Sequence, residues 1–242
     1  MRITKGYVSE GLRFFKQKFF DRYGLTQIDN DTDPVIMFGV YFDADYRFIR
    51  EHKGEIKIVW CGSDAMYIQN IEDLKKREHI VTSSFSAEDL KQKGLKFKLL
   101  PITPINSEFK PMPRGDYVYH YGKGKFYGQH LLYTIYTKTG IPIIHAEHNT
   151  YTKQELQQIY NNCFIGLRIT PHDGVPTTGV ELGLMGRRIV HNGIMPNAIH
   201  YTDIDSICDA IVKEYEIRHE DNTQIAKQMS DYINISDKWL HI

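Results

Sequence analysis

The stretch RITPHDGVPTTGVELGLMGRRIVHNG, residues 168–193, decides how this chain is read. A strand-like run ends in a loop that carries Asp173, Gly174 and Pro176. A helix-like run containing Glu181 follows, and then a second strand-like run from Arg188 to His191. Strand, loop, short helix and strand in close succession is the pattern of a parallel β-α unit.

Outward from this stretch the rhythm continues. Upstream, DYVYHYG, IPIIHAE and FIGLRIT read as strands, with KFYGQHLLYTIYTKTG and TKQELQQIYNNC as the helices between them. Downstream, DIDSICDAIVKEYEIRHE reads as a helix. The tail, NTQIAKQMSDYINISDKWLHI, starts helical and ends on the apolar Trp239, Leu240 and Ile242. Nearer the amino end, DPVIMFGVYF, IKIVWCGSD, IVTSS and LKFKLLPI read as strands, and DADYRFIREHKG, NIEDLKKREH and SAEDLKQKG as helices. Residues 8–23 read as one amphipathic helix, because Leu12, Phe15, Phe19 and Tyr23 fall at helical spacing. No strand is read before it. Continuous apolar runs, rather than alternating ones, mark strands covered on both faces.

Residues 101–115, PITPINSEFKPMPRG, interrupt the pattern. Four prolines there can continue neither a helix nor a central strand. The expected fold class is therefore α/β, with two Rossmann-like parallel-sheet domains facing each other across a cleft. The expected boundaries are 1–101 for the first domain, 102–115 for a Pro-rich linker and 116–225 for the second domain. A C-terminal helix, 226–242, is expected to pack back toward the first domain.

The bulk composition excludes other classes. Lys plus Arg and Asp plus Glu number 30 each, so the formal net charge is zero. A protein that grips nucleic-acid phosphates over a wide face shows a basic excess or stripe. None is visible, and no nucleic-acid partner is expected. No run approaches the roughly 20 apolar residues of a membrane span, which leaves peripheral contact with a membrane surface open. Cys61, Cys163 and Cys208 are odd in number and far apart. That pattern argues against disulfides and structural zinc and points to a reducing, cytoplasmic compartment.

Four constellations can carry chemistry. In the opening stretch, Gly174 and Pro176 shape a turn, and Thr177 and Thr178 stand where a helix begins. The first helical turn presents backbone N–H groups to an anion, and a diphosphate suits it. Glu181 has two readings. With Thr178 it has capping-box spacing, or it accepts hydrogen bonds from sugar hydroxyls. Asp173 is either an ordinary turn residue before Gly174 or a second functional carboxylate. The second constellation, YHYGKGKFYG (119–128), follows a strand and offers Gly122, Lys123 and Lys125 at the same sheet edge, without P-loop or dinucleotide spacing. The third, HAEHNT (145–150), places Glu147 and His148 at a strand end, suited to lining a pocket for a flat base; no metal is expected there. The fourth lies in the first domain, where Gly62, Ser63 and Asp64 close one strand and Tyr41, Asp43 and Asp45 another. These side chains can bind hydroxyls or serve as a general base, or they are solvated loop acids and caps.

Taken together, residues 155–193 resemble the retaining GT-B glycosyltransferases of family 4: a helix ending in Tyr160, a strand, an acidic-Gly-x-Pro loop, then Glu181 and a Gly-bounded helix leading into the next strand. That family carries two Glu residues with seven between. Here the pair is Asp173 and Glu181, so the first side chain is one methylene shorter. The first domain is short for this fold and is read without its usual opening strand and glycine loop. The resemblance implies transfer of a sugar from a nucleoside diphosphate sugar to a glycan, lipid-linked or protein-linked hydroxyl, with retention and with neither metal nor cofactor. It implies that Glu181 holds the donor ribose and that Asp173 lies near the transferred sugar. Gly174, Val175, Pro176, Thr177 and Thr178 meet sugar and phosphates, and Lys123 and Lys125 neutralise the leaving diphosphate. Residues 146–148 line the base pocket, and Asp64 stands near the acceptor-side catalytic residue, with Tyr41, Asp43 and Ser63 beside it. A nucleotide-binding protein without transferase activity, a GT-B type nucleotide-sugar epimerase and a plain interaction module are the competing readings.

Overall fold

The first sheet forms where apolar side chains run uninterrupted. β3 (Val35–Phe38) and β4 (Ile56–Trp60) are buried along their whole length. With β1 (Lys5–Val8), β2 (Thr26–Gln27), β5 (Glu78–Val81) and β6 (Lys98–Leu99) they make a parallel sheet of order β2-β1-β3-β4-β5-β6. The computed structural model describes residues 1–106, 108–147 and 151–242. Its chain divides into two units. One is Met1–Asn106 with His172–Val175 and Ile233–Ile242, and the other is Ser107–Pro171 with Pro176–Tyr232.

β1 corrects the sequence reading, which has no opening strand. It pairs with β3, Lys5 opposite Val35 and Val8 opposite Phe38. Residues 8–23 are accordingly not one helix. A 3-10 segment, Glu10–Phe15, precedes α1 (Lys16–Tyr23). Two features fix this arrangement. The Ser9 hydroxyl donates to buried Asp45 over 2.7 Å while its amide donates to the Phe38 carbonyl, anchoring the turn after β1. Gly6 lies flat on Phe20, where any Cβ would come within 2.7 Å of the ring. Gly11, inside the 3-10 segment, packs against the Tyr41 ring. α2 (Asp43–Glu51), α3 (Ile71–Leu74) and α4 (Ser84–Gln92) complete the unit. α3 is a single turn, shorter than expected. The chain leaves it early and brings Arg77 to the carbonyls of Ile49 and Gly54.

The second sheet contains β7 (Tyr117–Tyr121), β8 (Ile143–Ala146), β9 (Cys163–Leu167), β10 (Arg188–Val190) and β11 (Ala198–Ile199), all parallel, in the order β11-β10-β9-β7-β8. α5 (Leu132–Thr139) and α8 (Ile204–Glu216) pack through Ile135, Ile207 and Ile211 into the core that also buries Val118, Ile165 and Leu167. The opposite core, with Tyr119, Tyr160, Cys163 and Leu182, holds residues of α6 (Lys153–Asn162) and α7 (Thr177–Leu184). A helix running from Lys125 does not form. Gly124 and Gly128 adopt φ of +77° and +75°, and they break the segment into two 3-10 turns before α5. The tail is also in two pieces, α9 (Thr223–Ile233) and a 3-10 turn at Asp237–Leu240.

In the second sheet β8 lies on one side of β7 and β9 on the other. The crossovers that leave β7, to β8, and β9, to β10, therefore run in opposite directions. The carboxyl ends of β7 and β9 flank the gap where ligands of open α/β sheets sit. The first sheet has the same feature between β1 and β3.

Candidate functional site

At the switch point of the second sheet, β7 runs into Gly122 and Lys123, and β9 runs through Arg168 toward α7. Gly122 (φ +132°) packs so closely on Tyr127 that a side chain there would strike the ring. The following loop is tied by Gln129, whose side-chain oxygen accepts from the Gly124 amide at 2.6 Å. The amide nitrogen of Gln129 reaches His145 Nε2 at 3.0 Å and Glu147 Oε1 at 3.2 Å.

The tautomers follow from these partners. His120 Nε2 donates to the Tyr127 carbonyl at 2.7 Å, so its Nδ1 accepts from His145 Nδ1 at 2.9 Å. Burial pushes His120 down to about 4, so it stays neutral at physiological pH. His145 Nε2 is then the acceptor for Gln129. Glu147 closes the network with an ion pair to Lys123 at 3.1 Å. The Lys123 ammonium holds the Glu147 carboxyl below the usual carboxylate range. Of the two expected cations, Lys123 is thus already engaged, and Lys125 is exposed. His148 lies outside the described residues. Among the described residues no cluster of three or more His, Cys, Asp or Glu side chains could hold a metal ion.

α7 begins at Thr177 with Pro176 as its N-cap, and Pro176 has no side-chain oxygen to cap with. The first-turn N–H groups therefore have no side-chain cap, as an anion site requires. The capping-box reading of Thr178 and Glu181 does not match this register, because Thr178 is the second helical residue rather than the cap. Glu181 instead accepts a hydrogen bond from the Tyr160 hydroxyl at 2.8 Å. Burial, with the Glu181 charge beside it, raises the Tyr160 phenol well above its ordinary range.

Asp173, Gly174 and Val175 group with the first unit, although Pro176, Thr177 and Thr178 belong to the second. The Asp173 carbonyl accepts from Ser83 Oγ at 2.7 Å, and its carboxylate accepts from the Gly174 amide at 2.9 Å. Next to it, His172 Nε2 lies 2.6 Å from Asp89. Gly174 is pressed on the turn after β4, where an added Cβ would sit 2.0 Å from the Cys61 carbonyl oxygen.

That turn holds Ser63 and Asp64. Asp64 is only 2% exposed. One carboxylate oxygen accepts from the Gly62 amide and the other from the amides of Val40 and Cys61. In this position it shapes the turn rather than facing an acceptor. Burial raises it to about 7. Asp45 is similarly buried and accepts from Tyr7, Ser9 and the amides of Tyr41 and Phe42. Ser63 and Asp43 are exposed and Tyr41 is half-buried, so these three remain at the surface of the same edge.

Two residues escaped the sequence reading, and Tyr160 is named there only as the end of a helix. Gln129 looked like an ordinary helix position. Arg168 read as part of a strand, but its guanidinium lies 4.3 Å over the Tyr127 ring and donates to the Tyr121 carbonyl at 3.3 Å. It adds a cation to the switch point.

No protein-family model matches the chain, and no curated protein does. Solved structures do. TarM superposes with a TM-score of 0.64 at 11% identity, over 87% of this chain and 54% of TarM. Sucrose-phosphate synthase from Thermosynechococcus elongatus gives 0.61 at 11% identity, over 91% of this chain and 72% of that one. The lipopolysaccharide outer core galactosyltransferase WaaB, in its apo form, gives 0.59 at 14% identity, over 96% and 79%. The chain has the GT-B fold. It spans about half the length of TarM. Among the described residues no helix is long and apolar enough to cross a membrane.

Proposed function

We propose that this chain is a glycosyltransferase that moves a sugar from a nucleoside diphosphate sugar to a hydroxyl acceptor with retention of anomeric configuration. One observation carries the reading: in a GT-B fold, the switch point of the second sheet presents an α7 start without a side-chain cap together with a Glu181 carboxylate turned to Tyr160. In this reading the N–H groups of Thr177 and Thr178, with Lys125, bind the diphosphate. Glu181 receives the ribose hydroxyls, and Glu147 and His148 border the base. Lys123 turns from Glu147 to the phosphates when a donor enters. Asp173, on the loop before α7, stands by the transferred sugar. Gly122, Gly174, Val175 and Pro176 keep bulk away from the donor. Tyr41, Asp43 and Ser63 are assigned to the acceptor, and Asp64 to holding the turn that carries Ser63. Stabilising the leaving diphosphate with oriented amides and cations is an electrostatic device that needs no metal.

Thermal denaturation with UDP, GDP, ADP, CDP and dTDP tests the site. A ligand at about 100 times its dissociation constant adds roughly 2.7 kcal/mol, and the Glu181→Ala and paired Lys123→Ala/Lys125→Ala variants should lose most of that gain. If none of the five stabilises the protein, or if both variants respond like the parent, the donor-site assignment fails. Binding without any donor turnover would favour the nucleotide-binding reading over the transferase.

A further inference from the structure

We infer that Tyr160 is a positioning residue that holds the Glu181 carboxylate for the ribose of a nucleotide ligand, an inference that rests on the donor-site reading above. Tyr160 stands near the end of α6 and is 2% exposed. Its hydroxyl donates to Glu181 Oε2 at 2.8 Å. The ring cannot swing away. Tyr119 meets it edge-on, with centroids 5.2 Å apart, and Phe109 packs at 6.5 Å.

Glu181 is the fifth residue of α7, and one of its carboxylate oxygens is taken by the Tyr160 hydroxyl. Tyr160 thereby fixes the direction of the Glu181 carboxylate. A carboxylate so held meets two neighbouring hydroxyls, as on a ribose, without losing rotamer freedom on binding. Burial, with the Glu181 charge beside it, raises the Tyr160 phenol and so favours its protonated, donating form.

The test is calorimetric titration of UDP, GDP and ADP and their 2′,3′-dideoxy counterparts into the parent, Tyr160→Phe, Glu181→Ala and the double variant. Tyr160→Phe keeps the ring, and its melting temperature is measured alongside. The expected result is a loss of about tenfold for the ribonucleotide that binds, little loss for its dideoxy form, and no further loss when Tyr160→Phe is added to Glu181→Ala. If Tyr160→Phe binds like the parent, or weakens ribo and dideoxy forms alike, the positioning role is overturned while the donor site stands. If the parent binds none of the three nucleotides, or Glu181→Ala leaves binding intact, the donor-site reading fails and takes this inference with it.

Discussion

Asp64 offers a prediction whose size can be worked from the structure. Its carboxyl is buried in the turn after β4 and meets three backbone amides. Burial raises its pKa from 3.8 to about 7, and the amides oppose that rise. A carboxyl whose folded value exceeds its unfolded value holds its proton more tightly in the folded state. The stability it contributes is full below the unfolded value and is lost as pH rises through the folded one. Each pH unit between the two is worth about 1.4 kcal/mol. The whole interval is worth about 4 kcal/mol, and about 3 kcal/mol of it falls between pH 5 and pH 8.

The comparison is between the parent and Asp64→Asn, which is nearly the same shape and cannot titrate. Other titrating groups cancel in the difference. Both tryptophans, Trp60 and Trp239, lie in the unit that carries Asp64. Their fluorescence during urea unfolding therefore reports on the right half of the chain. The stability of the parent relative to Asp64→Asn should fall by about 3 kcal/mol from pH 5 to pH 8. A flat difference would show that the carboxylate is ionised throughout and that three amides outweigh burial. A difference that rises with pH would refute the sign as well as the size.

Three further outcomes follow from the same structure. Gly174→Ala places a Cβ against the Cys61 carbonyl, so the 172–175 loop should come off Ser83 and exchange its amide hydrogens faster; unchanged exchange there would refute the close packing. Arg187 is fully buried and donates to the carbonyls of Cys163, Met185, Pro113 and Asn161; Arg187→Met should lower the melting midpoint by about 10 °C, and a change within about 2 °C would contradict it. Glu147→Gln frees Lys123 from its ion pair and should tighten nucleoside diphosphate binding about threefold; weaker binding would mean that the Glu147 charge serves the ligand more than the release of Lys123 does.

The sequence shows the strands that are buried on both faces, because burial demands an unbroken apolar run. Val35–Phe38, Ile56–Trp60 and Cys163–Leu167 satisfy that demand. It hides β1, whose four residues, KGYV, include a lysine and a glycine. That strand is specified by partners distant in the chain: the Asp45 carboxylate for Tyr7 and Ser9, and the Phe20 ring for Gly6. The helix expected from Lys125 fails for a local reason, the two glycines in left-handed conformation, which composition shows but spacing alone does not weigh.

The candidate site divides the same way. Its order along the chain is legible, since a loop after one strand and a loop after another meet wherever the strand order reverses. Its pairings are not, because each joins elements whose relative register only the folded sheet sets. Glu181 is the clearest instance. Sequence spacing links it to Thr178, three residues back, and the fold links it to Tyr160, 21 residues back on another helix. The Asp173–Glu181 spacing likewise reads as one motif, yet Asp173 groups with the first unit and Glu181 with the second. Two carboxylates fixed by separate surroundings are free to take different roles. Glu181 is oriented by a neutral phenol, while the Asp173 side chain closes on its neighbouring amide and its carbonyl accepts from Ser83. A shortened acid at position 173 is therefore tied to the shape of its own loop, and a Glu there would have to give up the Gly174 amide to reach further.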